Sequence, residues 1–271
     1  MTHAPITSLH SPHVERVKAL LGPRGKKLRS LERTFVADGL QSIRCALMPN
    51  VPTAPLIDRI YLTESGHEKI RLEFAQEILD RHEVIMVTDQ VMNAMADTVA
   101  PQGILALCKY LPTELNRFSE PALSKPLKKV AYFWQIQDPG NAGTAIRTAD
   151  ACGFDLVIFS EQSVDIYSPK TVRSTAGSLW NISVIDDVSL DQLELFSYEH
   201  NLALIALDGS ADQKLADIDI SQPTALVFGN EGHGLPDLAP AFQRISIPMR
   251  GYAESFNVAS AAAIAMYFLS I

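Results

Sequence analysis

From residue 129 onward, short apolar runs recur at intervals: KVAYFWQI, FDLVIFS, NISVID, LALIALD, TALVFGN and RISIPM. Their hydrophobicity is near-continuous rather than alternating, as it must be where both faces of a strand are covered. Between them lie helix-forming stretches, AGTAIRTADACG, SPKTVRSTAGS and SLDQLELFSYEH, and an Ala-rich run follows Ser255. Strands alternating with helices in this way specify an α/β layer structure on a mainly parallel sheet. Ligands of such open sheets sit beyond the carboxyl ends of the strands.

Upstream, LPTELNRFSEPALSKPLKK at 111–129 mixes three prolines with polar residues and has no periodicity, so it reads as a linker. Before it, ERVKALL and FVADGLQSIRCALM read as helix-like and LIDRIYLT and EVIMVTD as strands. EKIRLEFAQEILDRH then reads as a helix and QGILALCKY as a strand. The expected organisation is a smaller N-terminal α/β domain at 1–110, a linker at 111–127 and a larger α/β domain at 128–271.

Charge is unevenly placed. From His13 to Arg44 the balance is +5, and the other residues carry −13 of a total of −8. That total argues against a protein coated in nucleic acid. The basic stretch fits either a solvated helical face or a local phosphate contact, with Lys26, Lys27 and Arg29, clustered beside Gly22 and Gly25 in an expected loop, as the candidate cations. Cys45, Cys108 and Cys152 lie far apart and the histidines are scattered, so neither a disulfide framework nor a metal site is expected. The opening residues have no apolar signal core and no apolar run suffices for a membrane span, so a cytoplasmic protein without membrane association is expected.

Three loops after strands are chemically unusual. In DPGNAGTAIRTADACG, Asp138 to Asn141 form a turn and helix cap, and Arg147 follows inside an otherwise small, apolar helix. A guanidinium in a packed helix needs a defined partner. In LVFGNEGHGL the glycines run G-x-x-G-x-G, which matches neither a dinucleotide fingerprint nor a phosphate loop. Such glycines let a ligand approach the main chain. In ISIPMRGYAESFNVASAAAIAMYF a strand and Pro248 lead to a thin, Ala-rich helix with Ser255 as its expected N-cap.

The order N-x-G-x-x-x-R, G-N-E-G-x-G-L, I-P-M…S-x-N-V resembles the SpoU (TrmH-type) family of RNA ribose methyltransferases, over roughly residues 128–271. The segment KTVRSTAGSLWNISV resembles a further family motif, and residues 5–110 look like the substrate-binding domain often fused to it. Phe256 stands where the family usually has Leu, and Ala259 where Ser is common.

The resemblance implies a trefoil-knotted, homodimeric catalytic domain that binds S-adenosylmethionine and releases S-adenosylhomocysteine, with no metal. It assigns cofactor contacts to Leu207, Gly229, Asn230, Ile247, Met249 and Phe256. It assigns the target 2′-hydroxyl to Arg147, with Asn141, Glu231, Ser255 and Asn257 as supporting polar residues. An arginine can act there as base or, given its pKa above ~12, as electrostatic stabiliser. The substrate implied is RNA, with ribosomal RNA favoured and transfer RNA the alternative within the same class. A catalytically silent RNA-binding or ribosome-assembly factor is the alternative of another class.

Overall fold

The structure, a computed structural model, describes residues 4–110, 114–119, 126–219 and 221–271. The chain forms two compact units: Met1–Leu111 with Tyr167–Asn181, and Pro112–Ile166 with Ile182–Ile271.

In the first unit, helices α1 (Pro12–Leu21) and α2 (Gly25–Glu32) lead into strand β1 (Thr34–Asp38) and helix α3 (Leu40–Leu47). Strand β2 (Leu56–Leu62), helices α4 (Glu64–Glu73) and α5 (Gln76–Leu79), strand β3 (Val84–Met86), helix α6 (Asp89–Met95) and strand β4 (Ile104–Lys109) follow. The sheet runs β1-β4-β2-β3, with β4 antiparallel to both its neighbours and β2 parallel to β3. Helix α1 starts where the Ser11 hydroxyl accepts from Val14 N at 3.3 Å with Pro12 in the first turn, and it buries Val14, Val17 and Leu20.

Two expectations are corrected here. FVADGLQSIRCALM is not one helix: Thr34–Asp38 form β1, fully paired with β4, and Gly39 at φ +90° breaks the chain before α3. Gly25 and Lys26 belong to α2 rather than to a loop.

The segment 167–181 lies in the chain's second half and packs within the first unit. Its aromatic residues explain why. The Tyr167 ring stacks on Tyr110 with centroids 3.8 Å apart, and Trp180 Nε1 donates to the Pro55 carbonyl at 3.0 Å. Helix α8 of the chain (Pro169–Ser174) adds an Arg173–Asp97 ion pair at 2.7 Å.

The second unit holds strand β5 (Lys129–Phe133), helix α7 (Pro139–Ala151), strands β6 (Leu156–Phe159) and β7 (Ser183–Ile185), and helix α9 (Leu190–Glu199). Strands β8 (Ala203–Leu207), β9 (Thr224–Phe228) and β10 (Gln243–Ile245) and helix α10 (Val258–Phe268) complete it. The sheet order is β10-β8-β9-β5-β6-β7, and every pairing is parallel. Strands β5, β6 and β9 are buried on both faces, which their uninterrupted apolar sequences require. Of the expected linker, residues 111–113 and 120–125 lie outside the described residues. The described part contributes Phe118 and Leu127 to this unit's core.

Candidate active site

The sheet doubles back beside β5, so β8 and β9 end next to one another and β10 ends beyond β8. A cleft of about 500 Å³ opens at their carboxyl ends. That volume suits a small-molecule ligand, for which about 300–1,000 Å³ is usual. Leu207 reaches it from β8, Gly229 and Asn230 from the loop after β9, and Ile247, Met249 and Phe256 from the segment after β10. Glu231, Ser255 and Asn257 line it as well.

The loop after β9 closes on itself. Asn230 N donates to the Gly234 carbonyl at 2.9 Å, and Gly234 N donates back to the Asn230 carbonyl at 3.0 Å. A Cβ at Gly229 would lie 2.5 Å from the Gly234 carbonyl carbon and 2.8 Å from Leu235 N, so the returning loop itself requires a glycine there. This changes the reading of that glycine: its missing side chain makes room for the chain's own backbone. Gly234, at φ +68°, supplies the left-handed turn. Asn230 secures the loop at both ends of its amide. Oδ1 accepts from Gly232 N (2.8 Å) and His233 N (3.1 Å), and Nδ2 donates to the Gln135 carbonyl (2.6 Å).

A run of side-chain hydrogen bonds then joins all three loops. The Glu231 carboxylate accepts from Asn141 Nδ2 at 3.1 Å, Asp138 N at 3.4 Å and Gln137 N at 3.3 Å. Asn141 Oδ1 in turn accepts from Asn257 Nδ2 at 3.2 Å. Asn257, rather than Ser255, is the N-cap of α10: its Oδ1 accepts from Ala259 N (2.9 Å) and Ser260 N (3.3 Å). Ser255 is exposed two residues earlier, at the cleft wall. The cap moves to Asn257 because the helix begins only at Val258, the first buried residue of that stretch.

Arg147 stands apart from this cluster. It lies six residues beyond Asn141 on α7, hence about 9 Å along the axis and roughly 120° around it. It is exposed rather than packed, it is not among the cleft-lining residues, and no partner to its guanidinium is found among the described residues. The apolar face expected around it belongs instead to Ala142, Ala145, Ile146 and Ala149, which are buried.

The three candidate cations of the first unit also separate. Lys26 and Lys27 are exposed in the first turn of α2 with Arg24 beside them. Arg29 is 6% exposed and its guanidinium donates to the Leu20 carbonyl, so it ties α2 to α1 instead of projecting outward. An arginine on α2's inward face is held by that carbonyl, which its spacing from Lys26 does not reveal.

Sequence reasoning missed Gln135 and Gln137. The strand expected to reach Ile136 stops at Phe133, and Gln135 turns into the left-handed region at φ +46°. Its carbonyl there receives both Asn230 Nδ2 and Gln137 Nε2, the latter at 2.9 Å. Asp208 and Glu254, also at the cleft wall, were missed because neither falls in a recurring pattern. Among the described residues, no group of three or more His, Cys, Asp or Glu side chains is placed to hold a metal. Nor is any helix among them long and apolar enough to cross a membrane.

Residues 128–267 match the SpoU rRNA Methylase family, and residues 14–106 match the MRM3-like substrate binding domain. The chain belongs to the SpoU rRNA methylase family. Among relatives of this SpoU methylase, the Bacillus subtilis 23S rRNA (guanosine(2553)-2′-O)-methyltransferase is 31% identical over 268 residues, 96% of this chain and 98% of that one. The Streptomyces viridochromogenes 23S rRNA (uridine(2479)-2′-O)-methyltransferase is 30% identical, covering 92% of this chain and 86% of that one. The fold matches the crystal structure of an AdoMet-bound rRNA methyltransferase from Sinorhizobium meliloti with a TM-score of 0.81, at 26% identity and over 98% and 97% of the two chains.

Proposed function

We propose that this protein transfers a methyl group from S-adenosylmethionine to a ribose 2′-hydroxyl of ribosomal RNA. The observation that carries the reading is the cleft at the ends of β8, β9 and β10, whose three loops are joined through Asn257, Asn141 and Glu231. The cofactor suits the residues present. Met249 and Phe256 are large apolar side chains left 37% and 41% exposed at the cleft, which favours an apolar ring system against them. Leu207 and Ile247 add to that wall. The relatives above are named for different bases, guanosine and uridine, so the shared chemistry is that of the ribose.

The reaction forms an O–CH3 bond at the 2′-oxygen, breaks the S–CH3 bond of the cofactor and releases the hydroxyl proton. The sulfonium supplies an activated methyl group, so the protein's own residues serve mainly to position and to manage that proton. Asn141, Glu231, Ser255 and Asn257 hold the loops and the ribose side of the cleft. Arg147 takes the proton or stabilises the developing alkoxide.

Arg147 performs this role from a second copy of the chain. It neighbours Thr148, and Thr148, Cys152, Ile264, Tyr267 and Ile271 form a shallow apolar surface on α7, α10 and the residues that follow them. Tyr267 and Ile271 are 63% and 77% exposed, as a self-complementary homodimer face would be in one copy alone. The segment after β10 is the threaded part of a trefoil knot. It is tied to the chain after β8 by Ser246 N to the Gln213 carbonyl and Leu215 N to the Ser246 carbonyl, both 2.8 Å. Lys26 and Lys27 supply phosphate contacts for RNA in the first unit, and the ribosomal substrate implies a cytoplasmic site of action.

The test is methyl transfer from labelled cofactor to total RNA, with rRNA and tRNA separated and the label located on the ribose. Label in rRNA supports the proposal. Label confined to tRNA reassigns the substrate, and no transfer with RNA binding intact makes the protein an assembly factor. Changing Lys26 and Lys27 to Gln should weaken RNA binding and flatten its dependence on salt by about two counterions' worth. An unaltered salt slope would return both lysines to a solvated surface.

A further inference from the structure

The cleft carries a charge pattern that its apolar walls do not require. Among the described residues three carboxylates line it, those of Asp208, Glu231 and Glu254, and no lysine, arginine or histidine does. Two of the three are already engaged. Asp208 accepts from Ser210 Oγ at 2.7 Å and Ser210 N at 2.9 Å, then from Arg244 at 3.1 Å, and these bonds hold its carboxyl below the usual carboxylate range. Glu231 keeps its charge, but both its oxygens are held by Asn141 and by the main chain before α7. Glu254 has no hydrogen-bond or ion-pair partner among the described residues, and it is exposed on the loop leading to Phe256.

We propose that Glu254 is the residue by which the site tells the charged methyl donor from its spent product. This rests on the cofactor reading above. S-adenosylmethionine and S-adenosylhomocysteine share the adenosine, the amino group and the carboxylate. They differ by one methyl group and one positive charge. Apolar contacts and hydrogen bonds to those shared groups therefore hold both nearly alike, and a group that reads charge separates them. A free carboxylate attracts a sulfonium and has no such attraction for a thioether. Because Glu254 is exposed, water and salt screen the term, which sets the preference at about two- to fivefold. That preference favours reloading after each turnover, since transfer removes the charge that the carboxylate reads.

The experiment is calorimetric binding of three ligands to the full-length protein: S-adenosylmethionine, S-adenosylhomocysteine and sinefungin. Sinefungin replaces the sulfonium by a carbon bearing a protonated amine, so it restores the charge without the reactive methyl. Glu254→Gln should weaken the two cationic ligands about two- to fivefold and leave S-adenosylhomocysteine unchanged. Glu254→Lys should move the ratio further in the same direction, and raising the salt should narrow the gap in the unaltered protein. Equal weakening of all three ligands would place Glu254 on a shared part of the molecule and overturn the proposal, as would no change at all. If none of the three binds the unaltered protein, the cofactor reading itself fails.

Discussion

Asn257 links the start of α10 to the rest of the site with a single amide, and its two roles can be separated. Its Oδ1 caps the helix by accepting from Ala259 N and Ser260 N, while its Nδ2 donates across to Asn141. Asn257→Ala removes both. Loss of an N-cap costs about 1 kcal/mol. The bridge to Asn141, at 3.2 Å and in an exposed position, contributes at the low end for a hydrogen bond, about 0.5 kcal/mol. Asn257→Ser keeps a cap of nearly equal quality, but its side chain is too short to reach Asn141.

With roughly 2–4 °C of melting temperature per kcal/mol for chains of about this size, Asn257→Ala should lower Tm by about 3–6 °C and Asn257→Ser by about 1–2 °C. In an Asn141→Ala background the Ser substitution should cost almost nothing more, because the bridge is already gone. Thermal unfolding followed by circular dichroism reads all four variants. If Asn257→Ser is as destabilising as Asn257→Ala, the cap is not what Asn257 supplies. If its cost is undiminished in the Asn141→Ala background, the bridge does not exist.

Arg147→Ala should abolish most methyl transfer while leaving calorimetric cofactor affinity near normal, and near-normal turnover would show that another group acts on the 2′-hydroxyl. Mixing this variant with one whose cofactor cleft is blocked should restore part of the activity, since a mixed pair of the proposed dimer contains one complete site; no recovery would mean that Arg147 serves its own chain. Gly229→Ala should destabilise the protein by about 1–3 kcal/mol, an overpacking cost, because the new methyl lies 2.5 Å from the Gly234 carbonyl carbon in a loop closed by its own backbone. An unchanged melting temperature with weakened cofactor binding would reinstate a glycine kept bare for the ligand.

What could be read before folding, and what could not, follows from where the causes lie. Strands β5, β6, β8 and β9 were legible because burial on both faces leaves a continuous apolar word in the sequence. Strand β1 was not: Phe35, Val36 and Ala37 run into Leu40 and Ile43 with a spacing that also suits a helix, and the break at Gly39 is visible only as a backbone angle. Arg29 looked like its neighbour Lys27 because composition does not say which way a side chain points. The three site motifs were legible as residue types, yet their contacts were not. Asn141 meets Glu231 across 90 positions and Asn257 across 116, distances closed by a sheet order in which β9 inserts beside β5. No local pattern encodes that insertion; it is set by which apolar strands can be covered on both faces at once. The same cause explains the glycine. Gly229 reads as an open door for a ligand until the loop's return brings Gly234 against it, so the residue first answers to the fold, and the cleft takes its shape from the loop that this glycine lets close.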